Sequence, residues 1–215
     1  MQELNFFQEF AIFMQEGGIY MYVILLVYLV GLAIAFERLF RYQLYDIKAS
    51  SLLNELQKFI LANDIKEAIK YCSKSRALLP RVIKHGLKRA SHGTEQIQNA
   101  IDATTLEVIP LVEKRLAYLG LLANISTLFG LLGTIWGLID AFKAVGSADP
   151  TKKAEILSKG IAVAMNTTAL GLISAISIMV IHAWLTAKSE KIIGEIDEFS
   201  VKLMDLLGTK NLVDK

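Results

Sequence analysis

The three longest apolar runs of this 215-residue chain contain no Asp, Glu, Lys or Arg. They cover residues 17–36, 116–139 and 160–187. Charge is scarce overall, at 20% of residues against 53% hydrophobic, and the mean hydropathy is +0.44. That balance excludes an ordinary soluble domain. Each run holds about 20 residues or more, enough for a helix to cross a hydrocarbon core of roughly 30 Å. Cysteine is nearly absent too: Cys72 stands alone, so no internal disulfide can form. Ser-His-Asp sets, metal-ligand clusters and a glycine-rich phosphate loop after a strand are all missing, which argues against an enzyme, a catalytic residue, a metal or a cofactor. The net charge of +2 gives no sign of a nucleic-acid partner.

Bases are missing from residues 1–16, which carry Glu3, Glu9 and Glu16 instead. This is the reverse of a secretory leader, so the first apolar run reads as a retained span. Residues 37–115 are rich in bases, among them Arg38, Arg41, Lys84, Lys88, Arg89, Lys114 and Arg115. The positive-inside rule makes that segment cytoplasmic, with the N-terminus and residues 140–159 outside and residues 188–215 inside. The outer loop weakens the bias, since it carries Lys143, Lys152, Lys153 and Lys159.

Helical periodicity fills in the rest. Phe6, Phe7, Phe10, Phe13 and Met14 define an amphipathic helix over 1–16, lying on the outer membrane surface. Between the first and second spans we expect short helices: one striped by Leu52, Leu53, Leu56, Phe59 and Ile60, a second capped by Asn63 or Asp64, and a third opened by Pro80 and running to about Ala90. From Thr94 the positions Ile97, Ile101, Val108, Val112, Leu116 and Leu119 keep a helical period into the second span, which predicts one long helix bent at Pro110. Ile192, Ile193, Ile196, Phe199, Leu203, Leu206 and Leu207 extend the third span likewise, until Gly208 stops it. The fold class is therefore an all-α membrane protein of three transmembrane helices (17–36, 116–139, 160–187), the second and third extended into the cytoplasm. A chain this small cannot bury so many stripes alone, which favours a homo-oligomeric ring.

Within the second span, Gly130, Gly133 and Gly137 form a smooth strip on which another backbone can approach. Thr134 lies about 100° round from Gly133, with Thr127 and Asn124 on its own stripe, defining a wetter face. In the third span Ala164, Thr168, Gly171 and Ala175 are small residues at matching spacing, and Asn166, Thr167 and Thr168 form a polar knot. Two readings of these hydroxyls stand: interhelical glue, or the lining of a hydrated pathway. Because no carboxylate lies in any span, a proton-driven device would borrow one from another subunit. His182 has the expected role of an interfacial histidine with satisfied hydrogen bonds.

The stretch Gly130-Leu-Leu-Gly-Thr-Ile-Trp-Gly137 resembles the second-span signature of the MotA/TolQ/ExbB proton-channel family, closest to its ExbB and TolQ branch. Residues 160–172, GIAVAMNTTALGL, look like the third-span signature, and weaker similarity covers Asn63 to Ala68, Pro80 and Gly86-Leu87. The resemblance implies a homopentamer in the bacterial inner membrane around a pair of single-span partner helices of the ExbD/TolR/MotB kind, whose membrane aspartate carries the proton. It implies that ion flow turns one ring against the other and delivers work to the envelope. The family's pore threonines match Thr134 and Thr168; with Thr167, Asn166 and Thr127 these form the expected ion pathway, while Gly130, Gly133, Gly137, Ala164 and Gly171 form the expected packing surface. One position departs: the ExbB and TolQ branch carries a glutamate where this chain has Val163. Valine there, with Thr167-Thr168 after it, is more similar to flagellar-type stators, some sodium-driven, although those have four spans. The transported ion is thus expected to be H⁺, with Na⁺ as the alternative. A passive membrane scaffold for a single-span partner is the remaining rival.

Overall fold

The computed structural model describes residues 6–47 and 49–213, and every regular element among them is helical. Three stretches, Gly18–Leu61, Thr94–Gly146 and Lys153–Leu207, contain helix long and apolar enough to cross a membrane. The chain forms two compact units. One comprises the chain up to Phe36 with Arg115–Ala183; the other comprises Glu37–Lys114 with Trp184–Lys215.

The first unit opens with α1 (Phe6–Glu16), where Met14 is buried and Gln15 exposed. Residues 1–5 and the side chains of Phe6, Phe7 and Phe10 lie outside the described residues. Gly18, at φ +69, turns the chain into α2 (Gly18–Tyr45), a conformation glycine adopts without the Cβ clash of other residues. The charges Glu37 and Arg38 end the apolar run without ending the helix, since both residue types are good helix formers. The second and third spans belong to α7 (Leu116–Gly146) and α8 (Lys153–Val213), so only residues 147–152 connect them without helix. On the α7 side, Leu119, Ala123, Ser126, Gly130, Gly133 and Ala141 are buried at spacings of three, four and eight. Small residues at that period let α7 lie close to α8.

The second unit is built from short helices. α3 (Ala49–Leu61) buries Ala49, Leu52, Leu56 and Ile60. It ends because Asn63 takes the left-handed conformation at φ 59, with its N–H bonded to the Ile60 carbonyl at 3.1 Å and the Asp64 N–H to the Phe59 carbonyl at 2.9 Å. Asp64 then caps α4 (Ile65–Ser73) by accepting the Glu67 N–H at 3.0 Å. The two neighbours thus divide the work: Asn63 closes one helix and Asp64 opens the next. α5 (Leu78–Leu87) starts two residues before Pro80 and packs Gly86 against α6 (Thr94–Glu113), where an added Cβ would meet Ile101 Cγ1 at 2.8 Å.

Two expectations need correction. The helix predicted to run from Thr94 through Pro110 into the second span is interrupted at Lys114 and Arg115, with Arg115 at φ 66. Pro110 sits inside α6 and the break follows it. Periodicity could not locate the break, because apolar spacing resumes in phase on its far side. The freed carbonyls at the end of α6 explain how the break is held. Arg38, with a side chain 0% exposed, donates to the Leu111 carbonyl at 3.3 Å and pairs with Glu37 at 2.9 Å, while the Tyr42 hydroxyl donates to the Val112 carbonyl at 2.9 Å. Gly208, secondly, does not stop α8, which continues to Val213. Glycine costs a helix only about 1 kcal/mol relative to alanine and terminates it only where the backbone turns left-handed.

Candidate functional site

The crossing of α7 and α8 brings most of the singled-out residues together. Gly130 and Gly171 meet backbone to backbone: a Cβ on Gly171 would lie 2.8 Å from the Ser126 carbonyl oxygen and 2.9 Å from Gly130 Cα. One built on Gly133 would lie 2.8 Å from Thr167 Oγ1, and one on Gly137 would lie 3.1 Å from Ala164 Cβ. The glycine strip of α7 therefore faces Ala164, Thr167 and Gly171 of the same chain.

Beside this contact lie Thr134 and Thr168. Thr134 and Thr168 are hydrogen-bonded to each other through their hydroxyls. Thr168 Oγ1 also reaches the Gly130 carbonyl at 3.0 Å, and Thr134 Oγ1 reaches the carbonyls of Gly130 at 3.1 Å and Ala164 at 3.3 Å. A hydroxyl has one hydrogen, so two donor arrangements are open. Either Thr134 donates to Thr168 and Thr168 to Gly130, or Thr168 donates to Thr134 and Thr134 to a carbonyl. Interconversion needs only two O–H rotations, so the pair would relay a proton only with a donor at one hydroxyl and an acceptor at the other, both supplied from outside the chain's own carbonyls. Both side chains are half-buried.

The remaining residues are disposed differently. Thr167 is buried, and its hydroxyl donates to the Ala164 carbonyl of its own helix at 2.7 Å. Asn166 and Val163 are half-buried, whereas Thr127 and Asn124 are exposed, with Thr127 bonded back to the Ala123 carbonyl at 3.3 Å. His182 is half-buried and lies near Gly120, whose added Cβ would be 3.5 Å from His182 Cε1. Among the described residues no His, Cys, Asp and Glu group could hold a metal ion. Residue reasoning passed over Ser126 and Ser174, both buried, and Gly31, which packs on Ile178. Ser126 was findable, since it continues the strip of Gly130, Gly133 and Gly137 one turn back.

Three helices long and apolar enough to cross a membrane, two of them meeting at a glycine-lined crossing, define a multi-pass helical membrane protein. Residues 74–198 match the MotA/TolQ/ExbB proton channel family, and the chain belongs to that family. It is similar to a putative biopolymer transport protein ExbB homolog of Methanothermobacter thermautotrophicus, 24% identical over 196 residues that cover 90% of this chain and 69% of that one. It is also similar to the Tol-Pal system protein TolQ of Pseudomonas aeruginosa, 30% identical over 99 residues covering 46% of this chain and 42% of the relative. The biopolymer transport protein ExbB of Salmonella typhimurium is 38% identical over 65 residues, covering 30% and 26% respectively. The chain thus spans less than half the length of the TolQ and Salmonella relatives in these matches, and the agreement is with the ExbB and TolQ branch.

Proposed function

We propose that this chain is the channel-forming motor subunit of a bacterial inner-membrane complex that couples the proton-motive force to mechanical work on the envelope. The observation carrying this reading is the Thr134–Thr168 hydroxyl pair, set between two spans without a single charged residue. Hydroxyls and backbone carbonyls solvate a moving proton without binding it, so the titrating carboxylate comes from a single-span partner of the ExbD/TolR/MotB kind. Five copies enclose the partner helices, with exposed apolar residues such as Leu131, Ile135 and Ile173 facing lipid or neighbouring copies. Thr134 and Thr168 line the route; Thr167, Asn166 and Thr127 flank it. The N-terminus is outside and residues 37–115 and 188–215 are cytoplasmic. The relatives' names, biopolymer transport and Tol-Pal system, support such an energy-transducing role.

The proton is favoured over sodium because dehydrating sodium needs several oxygen ligands at once, and the spans offer no anion of their own. Val163 in place of a glutamate, beside two adjacent threonines, is the specific observation on the side of sodium. The test co-reconstitutes the chain with a single-span partner carrying one membrane Asp and follows ion uptake across a sodium series at fixed pH. Proton uptake without sodium, reduced at least about tenfold by the Thr134→Val, Thr168→Val double variant, is the expected result. Activity that vanishes without sodium and survives a protonophore would replace the proton by sodium. Absence of any ion flux would leave a passive scaffold.

A further inference from the structure

From Cys72 to Thr94 the sequence carries Lys74, Arg76, Arg81, Lys84, Lys88 and Arg89 and no Asp or Glu. The fold gathers part of this charge around a cavity of about 340 Å³ between the end of α4 and the outer side of α5, lined by Ser73, Ser75, Arg76, Arg81, Lys84 and His85. One acid approaches it: Glu107 of α6 pairs with Arg81 at 3.4 Å, and both side chains are largely exposed. Arg76 and Lys84 have no acidic partner among the described residues. The cavity therefore keeps two uncompensated cations beside a third that is weakly paired.

Its neutral groups are prepared for an acceptor-rich guest. Ser75 Oγ accepts the Ala77 N–H at 3.2 Å, which leaves its own hydrogen free to donate inward. His85 Nδ1 is held by the Thr104 hydroxyl at 2.9 Å. Burial first, then the positive charges of Lys88 and Arg81, hold His85 below its ordinary 6.5, so the ring is neutral at pH 7. Cys72 also borders the space, but burial pushes its thiol up to about 11, which removes thiolate chemistry from consideration.

We propose that this cavity is a binding site for a phosphate-bearing anion, held by Arg76, Arg81 and Lys84, with Ser75 as a hydroxyl donor. A phosphate group matches the set better than a single carboxylate. It carries up to two charges against the uncompensated pair, and its oxygens accept a guanidinium fork, an ammonium and a hydroxyl together. The source is a soluble phosphate compound or the headgroup of an anionic phospholipid. The proposal is independent of the ion-conducting reading.

The test uses the full chain in phosphatidylcholine nanodiscs, titrated with tripolyphosphate by calorimetry. The expected result is saturable binding that weakens at least tenfold in the Arg76→Gln, Lys84→Gln double variant and tightens severalfold in Glu107→Gln, which removes the counter-charge. Unchanged circular dichroism of both variants separates loss of the site from loss of fold. Discs containing phosphatidylglycerol assign the source: a tenfold weaker apparent affinity at matched ionic strength identifies the lipid headgroup, and an unchanged affinity identifies a soluble phosphate, either result upholding the site. No saturable binding in phosphatidylcholine discs, affinity unaltered in the double variant, or equally tight binding of a short polyglutamate, which marks an acidic-peptide surface, would overturn it.

Discussion

Replacing Gly171 by alanine adds one methyl group where the structure leaves no room. The new Cβ would stand 2.8 Å from the Ser126 carbonyl oxygen, 2.9 Å from Gly130 Cα and 3.2 Å from Gly130 N, all backbone atoms, against 3.4–4 Å for ordinary contact. No rotamer can relieve this, so α7 and α8 must separate by about 0.6 Å at that point. The same movement lengthens the bond from Thr134 to the Ala164 carbonyl, now 3.3 Å, past useful range. Overpacking of this kind costs about 1–3 kcal/mol, which for a chain of this size lowers Tm by roughly 2–12 °C. Gly194 is the control, because nothing lies within 4 Å of its added Cβ on the same helix. There the change to alanine should stabilise by up to about 1 kcal/mol through helix propensity. Thermal denaturation of both variants in detergent, followed by circular dichroism, checks the pair. Gly171→Ala melting with or above wild type would refute the close crossing on which the site is built.

Gly133→Leu is expected to force α7 from α8, since a side chain there runs into Thr167 of the same chain, and thereby to disrupt the proposed homo-oligomer; native mass spectrometry showing the same assembly for wild type and variant would contradict this. Arg38→Met leaves the Leu111 carbonyl without its donor and Glu37 without its buried partner, a loss on the order of 3 kcal/mol that chemical denaturation would read. His85, whose folded pKa lies below 6.5, adds stability that is fully present above pH 6.5 and is lost as pH falls toward the folded value, because the unfolded chain takes up that proton first. His85→Gln should therefore flatten the decline of the denaturation midpoint below pH 6.5, and an unchanged slope would count against it.

Much of this was legible from residues alone. Uncharged runs of sufficient length located the three spans, because hydrocarbon tolerates neither bare charge nor unpaired backbone, and that constraint acts on sequence directly. The glycines marked a packing face, since close backbone approach demands the absence of a side chain wherever it occurs. Local capping was half legible: Asn63 and Asp64 are both competent, and only the backbone shows the first ending α3 while the second begins α4. Three matters were decided by tertiary structure. The break at Lys114 and Arg115 is stabilised by Arg38 and Tyr42 from a helix more than seventy residues away, and no local pattern encodes a partner at that separation. Thr167 and Thr168 are neighbours in sequence with similar side chains, yet one is buried on its own helix's carbonyl and the other joins Thr134. A rotation of about 100° per residue separates those fates, and it has meaning only once the opposing helix is in place. The basic segment after Cys72, likewise, was visible as composition, but the placing of Arg76, Arg81 and Lys84 around one cavity follows from the turn between α4 and α5, because charge acts through distance and the sequence states only order.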